Sequence, residues 1–254
     1  MKRQQLYLST VDENAQYLAK EFGLGLELAE FCTAWNLDDE FPQTDASVRE
    51  KMTYTDRFTL HGPFNELAPC AVDRQARRLA RFRFLQTIKV ARGYGVHKII
   101  LHGGFHPKVY YPIWYTEQSA IFWKEFLEEV PKDMVICIEN VLEPEPGMMA
   151  DFIRSIDDPR IRMTLDVGHA NAYSQVSVQD WVRSCADILD HFHIHNNDGT
   201  WDYHNAVFDG TIPMEALLDT IETLCPNATL TLELPDARAS IEWLRDQNIL
   251  EDPL

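Results

Sequence analysis

The chain has 254 residues, 45% of them hydrophobic, which is enough apolar surface for one large core and sets the expectation of a single domain over 1–254. Lys and Arg number 23 against 40 Asp and Glu, a net charge of −17, which sets the chain against nucleic-acid phosphates and anionic membranes unless a local basic patch or bound cations intervene. Cys32, Cys70, Cys137, Cys185 and Cys225 are odd in number, far apart and without a CxxC pair, no apolar segment follows Met1, and no run of ~18 apolar residues occurs; a cytoplasmic protein with reduced thiols and no membrane partner is expected.

Short β-rich runs alternate with helical patterns along the whole chain, as βαβ units on a parallel sheet do. Strands are expected near Gln5–Ser9 and Leu24–Ala29 and over Phe58–His61. A long helix follows over Val72–Arg92, with Ala76, Leu79, Ala80, Phe82 and Ile88 among its apolar positions and Gly93 and Gly95 to stop it. Next come a strand at Lys98–His102, an amphipathic helix at Thr116–Glu129 and strands at Met134–Glu139 and Arg162–Asp166. A helix at Val178–Leu189 behind a Ser177 cap, strands at His191–His195 and Thr229–Glu233, and a helix at Ala237–Gln247 complete the chain. Eight such pairs in about 250 residues match a closed (β/α)8 TIM barrel better than an open doubly wound sheet. No glycine-rich dinucleotide fingerprint follows the first strand. Two long loops, Gly103–Tyr115 and Asn196–Pro213, both follow strands and therefore belong on the active face of a barrel.

The strand ends carry the chemistry. The third and fourth strands finish in His61 and His102, the fifth in Glu139, and the sixth in Asp166 with His169 three residues on. The seventh holds His191, His193 and His195, its loop adds Asp202 and His204, and the eighth ends in Glu233. Any one of these alone reads as a helix cap or a hydrogen-bonded structural residue. Six consecutive strands ending in metal-ligand residue types read differently, because the strand ends of a barrel converge on one mouth. Several carboxylates and imidazoles in one low-dielectric mouth require compensating cations. The five histidines His61, His102, His169, His193 and His204 favour zinc, manganese, iron or cobalt over magnesium or calcium. His191, His193 and His195 point to one side of their strand, so the choice between His193 and His195 is open on this ground alone.

The stretches HGPF (61–64), LHGG (101–104), CIEN (137–140), LDVGHAN (165–171), HFHIHNNDG (191–199), DYH (202–204) and LEL (232–234) resemble, in order and over nearly the whole chain, the xylose-isomerase-like barrel superfamily of sugar isomerases, ketose epimerases and endonuclease IV. The resemblance implies a divalent ion, zinc or manganese, with one to three ions bound. The epimerase pattern implies Glu139, Asp166, His193 and Glu233 as its ligands, with Glu139 and Glu233 as the acid/base pair and His169 as their companion. The endonuclease IV pattern implies a nine-residue set around three zinc ions: His61, His102, Glu139, Asp166, His169, His193, Asp202, His204 and Glu233.

Two activities follow from the resemblance. One is isomerisation or epimerisation of a sugar or sugar phosphate by proton transfer through a cis-enediolate, with Phe105, Tyr110, Tyr111, Trp114 and Tyr115 covering the substrate and Lys108 or His169 holding a hydroxyl or phosphate. The other is phosphodiester cleavage. The 3-epimerase pattern has an Arg six residues after its strand-7 His, where this chain has Gly199. The loop Gly103–Tyr115 holds only Lys108 as a basic anchor for a duplex. Arg74, Arg77, Arg78 and Arg81 form a stripe at helical spacing, but on a barrel helix that stripe belongs to an outer face. A small-molecule partner is therefore the first expectation and a nucleic acid the second.

Overall fold

The computed structural model describes residues 5–251. Eight parallel strands, β1 (Leu6–Ser9), β2 (Gly25–Leu28), β3 (Phe58–His61), β4 (Lys98–His102), β5 (Val135–Glu139), β6 (Ile161–Asp166), β7 (Leu189–Ile194) and β8 (Thr229–Leu232), pair in sequence order and close as a barrel when β8 pairs with β1. Around them run α1 (Ala15–Phe22), α2 (Ala34–Leu37), α3 (Phe41–Lys51), α4 (Arg74–Tyr94), α5 (Pro112–Phe126), α6 (Gly147–Ile156), α7 (Val167–Tyr173), α8 (Val178–Cys185), α9 (Met214–Leu224) and α10 (Arg238–Asp246). The fold is a (β/α)8 TIM barrel. No helix among the described residues is long and apolar enough to cross a membrane.

The period-2 pattern of the strands sorts their side chains between two environments. Leu6, Leu8, Leu26, Leu60, Ile99, Leu101, Ile136, Ile138, Phe192 and Leu230 join one apolar cluster with the inner faces of the helices, where Phe84, Trp123, Phe152 and Trp181 are buried. The alternate positions turn inward. They include Glu27, Thr59, His61, Glu139, Thr164, Asp166, His191, His193 and Thr231, all of them buried.

Local chemistry moves several helix ends from their expected places. Gly93 does not stop α4, because a glycine that accepts helical dihedrals only weakens a helix. The helix ends two residues later at Gly95, whose φ of +71° is the left-handed cap. At the other end Asp73 caps α4, its side chain accepting from the Gln75 N–H. α5 begins at Pro112, not Thr116, with proline in the first turn, where it has no N–H to leave unpaired. The last four residues of the expected aromatic loop, 112–115, are thereby drawn into a helix. α8 ends at Cys185, earlier than expected, and β7 starts at Leu189, so His195 falls just past the end of the strand.

Candidate metal centre at the barrel mouth

His61, His102, Glu139 and Asp166 end β3, β4, β5 and β6, and Glu233 follows β8 directly. α7 starts without a connecting loop: Asp166 is its N-cap and accepts from the His169 N–H at 2.7 Å. That capping turn sets Asp166 and His169 at the same mouth. Gly168 between them leaves room for the His195 ring, since a Cβ there would lie 1.9 Å from it. Asp202 and His204 come from the loop after β7. The loop is pinned by an antiparallel bridge between Asn196 and Asn205 and by the Asn196 side chain, which donates to the carbonyls of Val207 and Ile212. His204 sits at φ +50°, a left-handed conformation rare outside glycine.

Three groupings meet in the mouth. Glu139 Oε2 lies 3.1 Å from His61 Nε2 and 3.4 Å from His102 Nε2. Glu139, Asp166, His193 and Glu233 present one donor atom each within 4.8 Å of one another; His193 Nδ1 is 3.2 Å from Glu233, 3.4 Å from Glu139 and 3.7 Å from Asp166. Asp202 Oδ2 lies 2.9 Å from His204 Nε2 and 3.2 Å from His169 Nε2. All nine residues of the larger expected set are thus brought together.

Backbone carbonyls orient three of these imidazoles. His61 Nδ1 faces the Gly62 carbonyl at 2.9 Å, His169 Nδ1 that of Asn140 at 2.9 Å, and His204 Nδ1 that of Glu233 at 2.8 Å. A carbonyl only accepts, so Nδ1 carries hydrogen in each ring and Nε2 is turned to the mouth.

Burial opposes charge on every group here, and the neighbours override it for most of them. His193, His102 and His169 hold the Glu139 carboxyl well below the usual range. His169, His195 and His193 do the same for Asp166, and His193 lowers Glu233. Against the same burial, Glu139, Glu233 and Glu27 raise His193, Asp166 and Asp202 raise His169, and Asp202 raises His204 to about 9. His102 is the exception: burial wins and its pKa falls. In the metal-free chain, protons on imidazoles therefore supply the positive charge that a divalent ion would otherwise supply. The residues fit such an ion on a second count. His193 Nδ1, His195 Nδ1 and Asp202 Oδ1 are buried with no hydrogen-bond partner, as the ligand atoms of an ion would be. The nitrogen and carboxylate donor set suits zinc, manganese, iron or cobalt.

Three further buried residues lie at or beneath this mouth: His195, which the sequence offers only as an alternative to His193, and Glu27 and His191, which it does not place in the site. His195 Nε2 lies 3.0 and 3.1 Å from the two Asp166 oxygens, and its ring stacks on His204 at 4.0 Å. It therefore shares the mouth with His193 instead of replacing it. Deeper in the barrel, Glu27 lies 3.0 Å from His191 Nε2 and 2.9 Å from His193 Nε2. The signal for Glu27 was available as one charge inside the apolar run Gly-Leu-Glu-Leu.

Other expectations fall elsewhere. Tyr115 is fully buried on α5 and donates to Glu143, and Trp114 donates to the Cys70 carbonyl, so neither covers the mouth. Tyr111 is 80% exposed. Phe105 and Tyr110 do line a cleft beside His102, with Phe64 and Val109. Phe64 stacks on His102 at 4.5 Å, and Tyr173 faces His169 at 6.3 Å. Lys108 is exposed on its loop. Arg74, Arg77, Arg78 and Arg81 line an outer groove with Gln118, Ile121 and Phe122, and Arg81 pairs with Glu129.

Comparison with known proteins agrees with this architecture. A family model described as xylose isomerase-like TIM barrel matches residues 17–247. The protein MJ1311 of Methanocaldococcus jannaschii, itself uncharacterized, is 23% identical over 216 residues, covering 77% of this chain and 72% of its own. Among solved structures, a D-tagatose 3-epimerase-like protein superposes with a TM-score of 0.79 at 18% identity, over 97% of this chain and 96% of its own. The TTHB071 protein from Thermus thermophilus, soaked with ZnCl2, superposes with a TM-score of 0.73 at 20% identity, over 96% and 97%.

Proposed function

The chain belongs to the xylose isomerase-like TIM barrel family, and on that premise we propose that it is a metal-dependent isomerase or epimerase of a small sugar or sugar phosphate. The observation that carries the reading is the convergence of Glu139, Asp166, His193 and Glu233 within 4.8 Å in the barrel mouth. In this reading the four hold a divalent ion, zinc or manganese. When bound, the ion polarises a substrate carbonyl as a Lewis acid. Ligation of an ion holds a carboxylate deprotonated, so either Glu139 or Glu233 can act as the initial base. One removes the proton α to the carbonyl, giving a cis-enediolate of the substrate, and the other, once it has taken up a proton from solvent, delivers that proton to carbon. His169 holds a substrate hydroxyl. Phe64, Phe105 and Tyr110 offer apolar walls beside His102 that exclude water from the reacting carbon.

Incubating the metal-loaded protein with a panel of ketoses, aldoses and their phosphates in D2O tests this. Deuterium should appear at the carbon beside the carbonyl only when the divalent ion is present. No exchange on any sugar with zinc, manganese or cobalt would sink the reading.

One observation favours a second reading. His169, Asp202 and His204 form a further nitrogen and oxygen grouping that a single-ion epimerase does not need, and a multinuclear zinc phosphodiesterase of the endonuclease IV kind would use it with His61 and His102. The net charge of −17 weighs against a duplex substrate. Elemental analysis separates the two. About one equivalent of ion supports the isomerase, whereas two to three equivalents of zinc, together with cleavage of abasic-site DNA, supports the phosphodiesterase.

A further inference from the structure

His193 is held differently from three other imidazoles of the mouth. His61, His169 and His204 each give Nδ1 to a backbone carbonyl and turn Nε2 to the mouth. His193 is reversed: Nδ1 faces Glu139, Asp166 and Glu233, while Nε2 points down the barrel axis to Glu27 Oε1 at 2.9 Å. That contact has ion-pair distance without hydrogen-bond alignment, and Oε1 takes no hydrogen bond from any other group. Oε2 of the same carboxylate is fully occupied. It accepts from Thr59 Oγ1 at 3.0 Å, from Thr231 Oγ1 at 2.9 Å and from His191 Nε2 at 3.0 Å.

The orientation of Glu27 is fixed from below as well. The Lys98 ammonium, which can only donate, gives a hydrogen to Thr229 Oγ1 at 2.8 Å. The Thr229 hydroxyl lies 2.6 Å from His191 Nδ1 and 3.4 Å from the Asp190 carbonyl, and His191 Nε2 faces a carboxylate oxygen, which only accepts. His191 therefore carries its hydrogen on Nε2 and donates it to Glu27. Three donors on one oxygen keep the carboxylate an acceptor and leave the other oxygen for His193.

We propose that Glu27 is a positioning residue for the metal centre: held by Thr59, Thr231 and His191, it takes the Nε2 side of His193 and leaves Nδ1 to the ion. A carboxylate behind an imidazole fixes which nitrogen carries hydrogen and makes the other a stronger donor than a carbonyl does. His193 belongs to the quartet that holds the ion in the reading above, so the inference rests on that reading and assigns the basis of its affinity to a residue three strands away.

The test is zinc affinity by chelator competition on the full-length chain, with 15N–1H spectra of the imidazoles in the zinc-loaded state, for wild type, Glu27→Gln and Thr231→Val. Glu27→Gln should weaken zinc about 10- to 100-fold and move the Nε2–H signal of His193. The Nδ1–H signals of His61, His169 and His204 should stay in place. Thr231→Val, isosteric and lacking one donor to Glu27, should weaken zinc by a smaller factor in the same direction. Glu27→Gln with wild-type affinity, or with all the imidazole signals changed together, overturns the proposal. If Glu27→Gln does not fold, Thr231→Val decides: unchanged affinity there overturns it and a weakened site supports it. A wild-type chain that takes up no divalent ion overturns the reading of the site and this inference with it, whereas a zinc-binding wild type with an indifferent Glu27→Gln overturns this inference alone.

Discussion

Toward the helices, the barrel strands present Leu26, Leu60, Ile99, Ile136 and Phe192 to Phe84, Trp123, Phe152 and Trp181; toward the axis, the same strands present Glu27, Thr59, His61, Glu139, Asp166, His191 and His193. Both sets are buried, but they do opposite things to the free energy. Each square ångström of the outer layer removed from water stabilises the fold by about 25 cal/mol. The inner layer takes carboxylates and imidazoles out of water, at a desolvation penalty of several kcal/mol per ion before pairing is counted. A barrel interior is ordinarily filled by branched apolar side chains. Here the outer layer carries the stability, and the inner layer is committed to a charged centre.

If that division is right, each layer can be damaged while the other is left working. The largest effect expected is on turnover. Glu139→Gln keeps the shape of the side chain and touches nothing in the outer layer, so the far-UV circular dichroism of the barrel should persist. The α-deuterium exchange rate should fall by about 10² to 10⁴, the range for loss of a positioned acid or base. Undiminished exchange would remove Glu139 from the mechanism and return the inner layer to a structural role. The converse experiment is Trp123→Ala. Trp123 is fully buried and stacks on Phe84 at 5.4 Å, and its loss should cost about 3–5 kcal/mol in denaturant unfolding. Zinc bound per folded chain should not change; a parallel loss of zinc would show that the two layers are not separable.

The same division explains what could be read from the sequence. The alternation of short β-rich runs with helical patterns made the strands visible, and the residue types at their ends made the mouth visible. Glu27 escaped because it lies inside its strand, where one charge between leucines looks like a solvent-facing position until the barrel closes over it. Residue types alone do not separate the roles of His191, His193 and His195, for a geometric reason. The register of β6 against β7 shifts between Met163 and Thr164, where Met163 pairs with Leu189 but Thr164 pairs with His191, and only the closed sheet decides which ring meets which carboxylate. Tyr115 and Trp114 were expected at the mouth because α5 was expected to start later. Pro112 opens the helix early and turns both into the protein.

A subtler effect is expected at the rim, where the inner layer meets solvent. Burial works against a charge on His204, and Asp202 outweighs it to raise the pKa from 6.5 to about 9. A raised pKa means that the metal-free fold binds this proton more tightly than the unfolded chain does. The stabilisation is therefore complete below about 6.5 and is lost as pH rises through about 9. An ion at His204 needs the same nitrogen without its proton, so rising pH favours the loaded form. The Tm gap between zinc-loaded and zinc-free wild type should widen from pH 6.5 to 9. The zinc-free wild type should lose Tm relative to His204→Ala across that window. A constant difference between those two zinc-free proteins would break the His204–Asp202 pairing.

The smallest effect should come from a concentration of positive charge on the outer face of α4, outside both layers. Arg78 is exposed on α4, where it lines the groove shared with Arg74, Arg77 and Arg81. Its side chain reaches Gln75 Oε1 only at 3.4 Å, at the limit of a hydrogen bond. Arg78→Ala should change stability by no more than about 0.5 kcal/mol, the usual span for a surface site without special contacts. Exchange kinetics on the preferred sugar should stay at the wild-type value. If the rate on a phosphorylated sugar fell while that on the free sugar held, the groove would be supplying long-range attraction to an anionic substrate, and the separation of the active mouth from the outer helical face would have to be redrawn to include α4.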